Sequence, residues 1–352
     1  MAAYARLTPV IVVTGFLGSG KTTLLNHMLR HPSLADAAVL VNEFGAVGLD
    51  HFLVEAMDEN TVLLESGCLC CTIRGDLKDS IIDLNSRRAR GEIPPYRRLI
   101  VETTGLADPA PILFTLSADT VLKHHYRLGT VITTVDGVNG LGQLDRHPES
   151  VKQATVADRI VLTKSDIAEA ETLARLDARL TRLNRTAERT TAVNGEVDVR
   201  RLLRADVYDA RTKGAEVRRW LAAEADKAAG DDDHDHEPSH VHDVSRHDEN
   251  IHSFTLSFEG ALDWTAFGIW LTMLLHTHGE RVLRVKGILN VAGADAPVIV
   301  NGVQHVVHPP IHLAAWPGDD RRSHIVFIVD GLDREAIETS LAAFSRIADA
   351  AA

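Results

Sequence analysis

Continuous apolar runs alternate with helix-like stretches over the first half of the chain. An apolar run bounded by turn residues is typical of a strand that is buried on both faces of a parallel sheet. Such runs occupy residues 9–14, 38–41, 98–102, 129–135 and 159–163. Apolar residues recur at helical spacing over residues 22–31, 77–90, 110–120, 151–157 and 169–184. Strands that alternate with helices predict a doubly wound α/β domain, which we expect over residues 1–200.

The pattern changes after residue 252. Residues 253–258 alternate like a strand, and residues 264–275 repeat apolar side chains at helical spacing. Further strand patterns lie at 281–291, 298–303, 312–316 and 323–329, ahead of a closing helix at 334–347. These elements predict a second, smaller α+β domain over residues 253–352.

Residues 201–252 lie between the two predicted domains and differ from both in composition. The segment begins as a charged, Arg-rich connector with a helical pattern, and residues 231–252 then hold six histidines and eight acidic residues. So few apolar side chains cannot bury enough surface to order a segment, which predicts a flexible linker. Its histidines and aspartates can hold divalent metals weakly, and a solvated acidic spacer is the alternative interpretation.

A phosphate-binding motif directly follows the first strand pattern. Residues 15–23 read GFLGSGKTT and match GxxxxGK[ST] between a buried strand and a helix. Glycines let backbone N–H groups close around phosphates, the lysine reaches the β and γ oxygens, and the hydroxyl of the next residue faces Mg²⁺. The predicted nucleotide ligands are Gly15, Gly18, Ser19, Gly20, Lys21, Thr22 and Thr23.

Two other strand ends carry polar residues that suit a nucleotide. Glu102 closes the RRLIVE strand and is placed to hold Mg²⁺ or its water together with Thr22, while Gly105 can approach the γ-phosphate as a switch. The TKSD sequence follows another strand and contains Thr163, Lys164 and Asp166. A carboxylate there can accept hydrogen bonds from both the ring N–H and the amino N–H of guanine. Adenine lacks this pair of donors, so such a site favours guanine. Thr163 stands where guanine sites usually have asparagine, so a solvated turn is the alternative interpretation.

The three cysteines of the chain, Cys68, Cys70 and Cys71, fall within four residues, just after an apolar run at 62–64. Three neighbouring thiols form no disulfide framework, which indicates a reduced, cytoplasmic protein. Thiolates suit Zn²⁺ and other soft or borderline ions, and a set of three leaves an open, exchangeable site. Inert buried thiols or a redox switch are the alternatives.

Net charge and hydropathy argue against two classes of partner, nucleic acids and membranes. The net charge of −12 argues against a general nucleic-acid binder. The chain has no apolar run as long as the roughly 18 residues of a membrane span and no signal-peptide pattern at its start, so we expect neither a nucleic acid nor a membrane among its partners. A homodimer is compatible with the sequence.

These motifs together resemble the CobW-like P-loop GTPases, which are metallochaperones related to UreG and HypB. The resemblance rests on GFLGSGKTT, VNEFG at 41–45, GCLCC at 67–71, ETTGLADP at 102–109 and TKSD, with RVKGILNV at 284–291 similar to that family's C-terminal domain. It implies hydrolysis of GTP to GDP and phosphate, with Lys21, Thr22, Glu102 and Gly105 as the catalytic residues. It also implies metal binding by the three cysteines, with Glu43 of VNEFG as an additional ligand or switch residue; a helix or loop cap is the alternative role for Glu43.

The resemblance further implies delivery of a transition metal, most often zinc and sometimes cobalt, to a client metalloenzyme, with GTP and Mg²⁺ as cofactors. Two alternatives stay open at this point. One is a cobalt or iron maturation factor for a cobalamin pathway or a hydratase-type enzyme. The other is a non-catalytic metal buffer in which the His-rich linker is the main metal ligand.

Overall fold

The computed structural model describes residues 7–41, 62–65, 73–203 and 250–351. The chain divides into two compact units. One unit comprises Met1–Thr181 with Ala187–Asp209, and the other comprises Arg182–Thr186 with Ala210–Ala352. Each unit has its own sheet.

The first unit is built on a parallel sheet of seven described strands. They are β1 (Thr8–Gly15), β2 (Ala37–Val41), β3 (Val62–Glu65), β4 (Arg98–Glu102), β5 (Tyr126–Asp136), β6 (Arg159–Thr163) and β7 (Glu188–Ala192). Their order in the sheet is β3-β2-β4-β1-β5-β6-β7, and every neighbouring pair runs parallel.

Helices connect these strands. The helices are α1 (Lys21–Leu29), α2 (Ile73–Ala89), α3 (Ala110–Ala118), α4 (Gly140–Arg146), α5 (Pro148–Val156), α6 (Ala170–Leu183) and α7 (Val199–Leu203). Short 3₁₀ turns lie at Pro32–Leu34 and Leu122–His124. The predicted doubly wound α/β fold is confirmed.

The central strands are buried on both faces, as their continuous apolar runs predict. Val10, Val12 and Val13 of β1 are fully buried, as are Ile160 and Val161 of β6. Strand β7 was not predicted because its sequence, ERTTA, is mostly polar and its burial is only partial. It pairs with β6 alone at the edge of the sheet, where polar side chains remain in contact with water.

The second unit is an antiparallel sheet with two helices. Its strands are β8 (Ile251–Phe258), β9 (Val282–Leu289), β10 (Val298–Val303), β11 (Val306–Val307), β12 (Ile311–His312) and β13 (Ser323–Asp330). The order is β11-β10-β9-β13-β8, with β12 also paired to β10. Helices α8 (Trp264–His278) and α9 (Arg334–Ala351) pack their apolar side chains against one face of this sheet. The predicted smaller α+β domain is confirmed.

The strand predicted at 312–316 is wrong for most of its length. Strand β12 ends at His312, which pairs with Val298, the first residue of β10. Beyond this point Leu313 N–H donates to Pro297 O at 3.1 Å. Proline has no N–H to return, so the ladder stops there.

Candidate nucleotide site at the carboxyl edge of the parallel sheet

Strand order places β1 between the strands that carry the other candidate residues. Strand β4, which ends at Glu102, lies on one side of β1, and β5 lies on the other. Val13 pairs with Glu102, and Gly15 pairs with Thr134. The carboxyl ends of parallel strands share one edge of a sheet, where ligands of open α/β folds bind. The predicted nucleotide residues therefore meet at this edge.

The loop between β1 and α1 has the backbone of a phosphate-binding loop. Gly20 has φ 87° and caps α1, a left-handed conformation that favours glycine. With glycine at the cap, the first N–H groups of α1 face outward without a capping side chain, and the positive end of the helix dipole adds to them. Lys21 Nζ lies over the same loop and donates to Gly15 O at 3.0 Å and Phe16 O at 3.2 Å.

Two neighbouring strands anchor this loop. Ser19 is fully buried, and its Oγ lies 2.7 Å from Thr134 Oγ1 of β5. The Thr163 hydroxyl at the end of β6 donates to Ser19 O at 2.8 Å. Thr163 therefore links the turn after β6 directly to the phosphate loop. This contact gives the threonine a specific role at the position where the sequence departs from the usual asparagine.

Thr22 and Glu102 meet as the magnesium prediction requires. The Thr22 hydroxyl donates to Glu102 Oε1 at 3.0 Å, and Glu102 is buried at the end of β4. Hydroxyl, carboxylate and phosphate oxygens are the ligands that Mg²⁺ prefers. The donor set at this position fits Mg²⁺.

The segment after β4 contacts the phosphate loop closely. A Cβ at Gly105 would lie 2.6–2.8 Å from atoms of Leu17, two of which belong to the backbone. Only glycine allows this approach without displacing the phosphate loop. Thr103 fixes the start of the segment because its N–H donates to Val13 O at 2.9 Å and its hydroxyl to Thr14 Oγ1 at 2.8 Å.

Asp136 joins the site although it belongs to none of the predicted motifs. Its carboxylate is buried and lies 2.7 Å from Lys164 Nζ, and it also accepts from Asn139 Nδ2 at 3.1 Å. Burial alone would raise the pKa of Asp136, but hydrogen bonds from Lys164, Asn139 and two backbone N–H groups outweigh burial and lower it. Asp136 is therefore ionised at neutral pH and holds Lys164. The sequence feature that could identify Asp136 is a carboxylate at the end of an apolar strand, as at Glu102.

Asp166 lies two residues beyond Lys164 in the turn after β6. Its side chain is exposed at the same edge of the sheet, accessible to a ligand. Lys164 has φ 54°, a left-handed backbone that reverses the chain direction after the strand. The turn thus presents Asp166 on the side of the sheet where the phosphate loop ends.

Two family patterns match this chain. The nucleotide-binding domain of CobW, HypB and UreG matches residues 9–191, and the C-terminal domain of the cobalamin synthesis protein CobW matches residues 251–345. This chain belongs to the CobW family. The two matched ranges correspond to the parallel and antiparallel sheets described above.

Relatives in the CobW family extend over nearly the whole chain. The zinc chaperone YjiA of Escherichia coli is 32% identical over 95% of this chain and 97% of its own length. The zinc-regulated GTPase metalloprotein activator 1 of Schizosaccharomyces pombe is 28% identical over 80% of this chain and 72% of its own. The crystal structure of Zn(II)-bound YjiA GTPase superposes with a TM-score of 0.68 at 27% identity, covering 96% and 99% of the two chains.

The predicted metal-binding residues of this CobW-family chain lie outside the described residues. They are Cys68, Cys70, Cys71 and Glu43, and the same holds for residues 204–249 of the His-rich connector. Within the described ranges no group of three or more His, Cys, Asp or Glu side chains could hold a metal ion. No helix in that part of the chain is long and apolar enough to cross a membrane.

Proposed function

We propose that this chain is a cytoplasmic, GTP-hydrolysing zinc chaperone that binds Zn²⁺ at Cys68, Cys70 and Cys71 and transfers it to a client metalloenzyme. Support comes from the nucleotide site and from the names of its relatives, which are a zinc chaperone and a zinc-regulated GTPase. Three neighbouring thiols require a reducing compartment to remain metal ligands.

The register of the parallel sheet carries the proposed link between metal and nucleotide. Val41 of β2 pairs with Glu102 of β4 on one side and with Glu65 of β3 on the other. Neighbouring strands lie about 4.8 Å apart, so the backbone at the end of β3 is about 10 Å from the backbone of Glu102, the residue proposed for Mg²⁺. Cys68 follows Glu65 by three residues, and Glu43 follows Val41 by two. The two strands that precede the proposed metal ligands therefore end at the same edge of the sheet as Glu102.

Different described residues bind different parts of GTP. Lys21 and the N-terminal amides of α1 bind the phosphates, while Lys164 and Asp166 face the guanine base. Thr22 and Glu102 would hold Mg²⁺, which neutralises charge on the β and γ oxygens when bound. Gly105 contacts the γ-phosphate, so its segment and the neighbouring strand ends differ between the GTP and GDP states.

The coupling free energy between the two sites limits how far the nucleotide can change the affinity for the metal. Coupling between two sites is typically about 1–3 kcal/mol, or roughly 5–150-fold in affinity, whereas structural zinc sites bind with about 10–16 kcal/mol. Hydrolysis alone cannot empty a tight thiolate site. The client must therefore supply ligands that compete directly for the ion.

Zinc affinity measured in the two nucleotide states tests the proposal. The purified full chain is titrated with a chromophoric zinc chelator in the presence of a non-hydrolysable GTP analogue or GDP. We expect about one zinc per chain and an affinity that differs between the two states. Cys70→Ala should lose the zinc, and Lys21→Ala should lose the nucleotide dependence, while Lys123→Ala, on an exposed turn away from the loop, should retain both.

Other outcomes would contradict the proposal. Equal zinc affinity in the two states would remove the coupling. Selective retention of cobalt or iron would favour the maturation-factor alternative. Cells that carry Lys21→Ala could instead keep their metal tolerance. That result would favour a metal buffer in which nucleotide binding only stabilises the fold.

A further inference from the structure

Helix α5 contacts the phosphate loop and the segment after β4 at the same time. The ring of His147, the residue that caps α5, stacks on Phe16 of the phosphate loop with centroids 4.5 Å apart. Further along the helix, Gln153 Nε2 donates to Gly105 O at 3.1 Å and to Ala107 O at 3.0 Å. One rigid element therefore holds both sides of the proposed γ-phosphate position.

The orientation of the Gln153 amide follows from its partners. Both are backbone carbonyl oxygens, which only accept hydrogen bonds, so the NH₂ group must face them. Gln153 is 1% exposed, and among the described residues its Oε1 has no hydrogen-bond partner. An unpaired buried acceptor is unfavourable. Gln153 therefore stabilises the segment through the two hydrogen bonds that its NH₂ group donates.

Among the described residues, Gln153 and Lys152 of α5 both hold the segment after β4, and Gln153 is the buried one. The other contact is the ion pair between Lys152 Nζ and Asp108 Oδ2 at 2.9 Å, whose side chains are 40% and 27% exposed. Water and salt weaken an ion pair with that exposure. The Gln153 bonds are shielded from solvent and also flank Leu106, so they define the path of the backbone on both sides of it.

The Gly105 backbone is thus restrained from two directions. Leu17 of the phosphate loop packs against its Cα, where a Cβ would not fit. Gln153 holds its carbonyl oxygen, which fixes the peptide plane that follows. With these two restraints the Cα and the carbonyl group of Gly105 have a defined position beside the phosphate loop.

We propose that Gln153 is a positioning residue for GTP hydrolysis. It holds the Gly105 backbone where the γ-phosphate is bound and so makes the site distinguish GTP from GDP. Gln153 contacts neither nucleotide itself and acts only through the segment 105–107. The inference rests on the proposed GTPase function and extends it to a residue of α5.

Replacement by methionine isolates the donor bonds. Gln153→Met keeps the length and volume of the side chain and removes both N–H donors. Gln143→Met, on the neighbouring helix α4, is the matched control. Steady-state hydrolysis, the affinities for GDP and for guanosine 5′-(β,γ-imido)triphosphate, and the thermal midpoint are measured on the full-length chain.

We expect kcat of Gln153→Met to fall about 10- to 100-fold, or about 1.4 to 2.7 kcal/mol at 1.36 kcal/mol per tenfold. A reacting group displaced by about 1 Å has an effect of this size. Affinity for the triphosphate analogue should fall while affinity for GDP stays within about twofold of wild type. Gln143→Met should match wild type in every measurement.

A kcat within twofold of wild type would overturn the inference. An equal loss of affinity for both nucleotides, together with a lower thermal midpoint, would also overturn it, because it would show a purely structural role. Lys21→Ala separates this failure from failure of the proposed function. If wild type hydrolyses GTP and Lys21→Ala does not, the GTPase function stands and only the role of Gln153 is tested.

Discussion

The hydroxyl of Thr163 connects the turn after β6 to the phosphate loop, and its removal should weaken nucleotide binding. Thr163→Val replaces the hydroxyl by a methyl group of nearly the same size. The bond to Ser19 O, 2.8 Å long, disappears, and so does the longer contact of 3.2 Å to Val135 O. Thr163 is 6% exposed, so little water is available to replace the hydroxyl.

The size of the effect follows from burial. A buried polar group that loses its partner typically costs about 1–3 kcal/mol. If this free energy acts on the geometry of the phosphate loop, the Kd for GDP rises about 5- to 150-fold. If it acts on the whole fold instead, the thermal midpoint falls by about 2–4 °C for each kcal/mol in a domain of this size.

Fluorescent GDP titration and thermal unfolding distinguish these two effects. Thr163→Ser keeps the hydroxyl and loses only the methyl group, so we expect its Kd to stay within about threefold of wild type. The reasoning would be refuted if Thr163→Val bound GDP within twofold of wild type. It would equally be refuted if the serine variant lost as much affinity as the valine variant.

Two other variants test the site and its electrostatics. Gly105→Ala should lower kcat more than about tenfold because its Cβ would meet backbone atoms of Leu17; Gly142→Ala, which meets mainly the end of the flexible Arg146 side chain, should retain activity in the same assay. Asp136→Asn should destabilise the fold by about 1–3 kcal/mol at pH 7, whereas Asp177→Asn, from a more exposed ion pair, should change stability by less than about 0.5 kcal/mol. Because the folded-state pKa of Asp136 is lowered, its stabilisation is present above the ordinary aspartate pKa and is lost as pH falls below about 4. Thermal unfolding at pH 7, at pH 5 and at about pH 3, below the ordinary aspartate pKa, checks this; an Asp136→Asn effect that grew on acidification would contradict it.

The motifs that the sequence predicts are those whose residues lie close together along the chain. The strand, loop and helix at 8–29 were predicted because an apolar run, three glycines and a lysine lie within one short stretch. Antiparallel strands such as β8 and β13 were predicted by the same local reasoning from alternation and apolar content. The edge strand β7 and helix α4 were missed because one is polar and the other, GLGQLDR, contains two glycines.

Local pattern thus determined that a phosphate loop, a carboxylate at the end of β4 and a thiol cluster exist in this chain. Tertiary structure alone decided which of them become neighbours. The order β3-β2-β4-β1-β5-β6-β7 brings Glu102 to Thr22, Thr163 to Ser19 and Gln153 to Gly105, pairs that are 48 to 144 residues apart in sequence. Contacts over such separations depend on strand order and register, which form only when the whole sheet is buried.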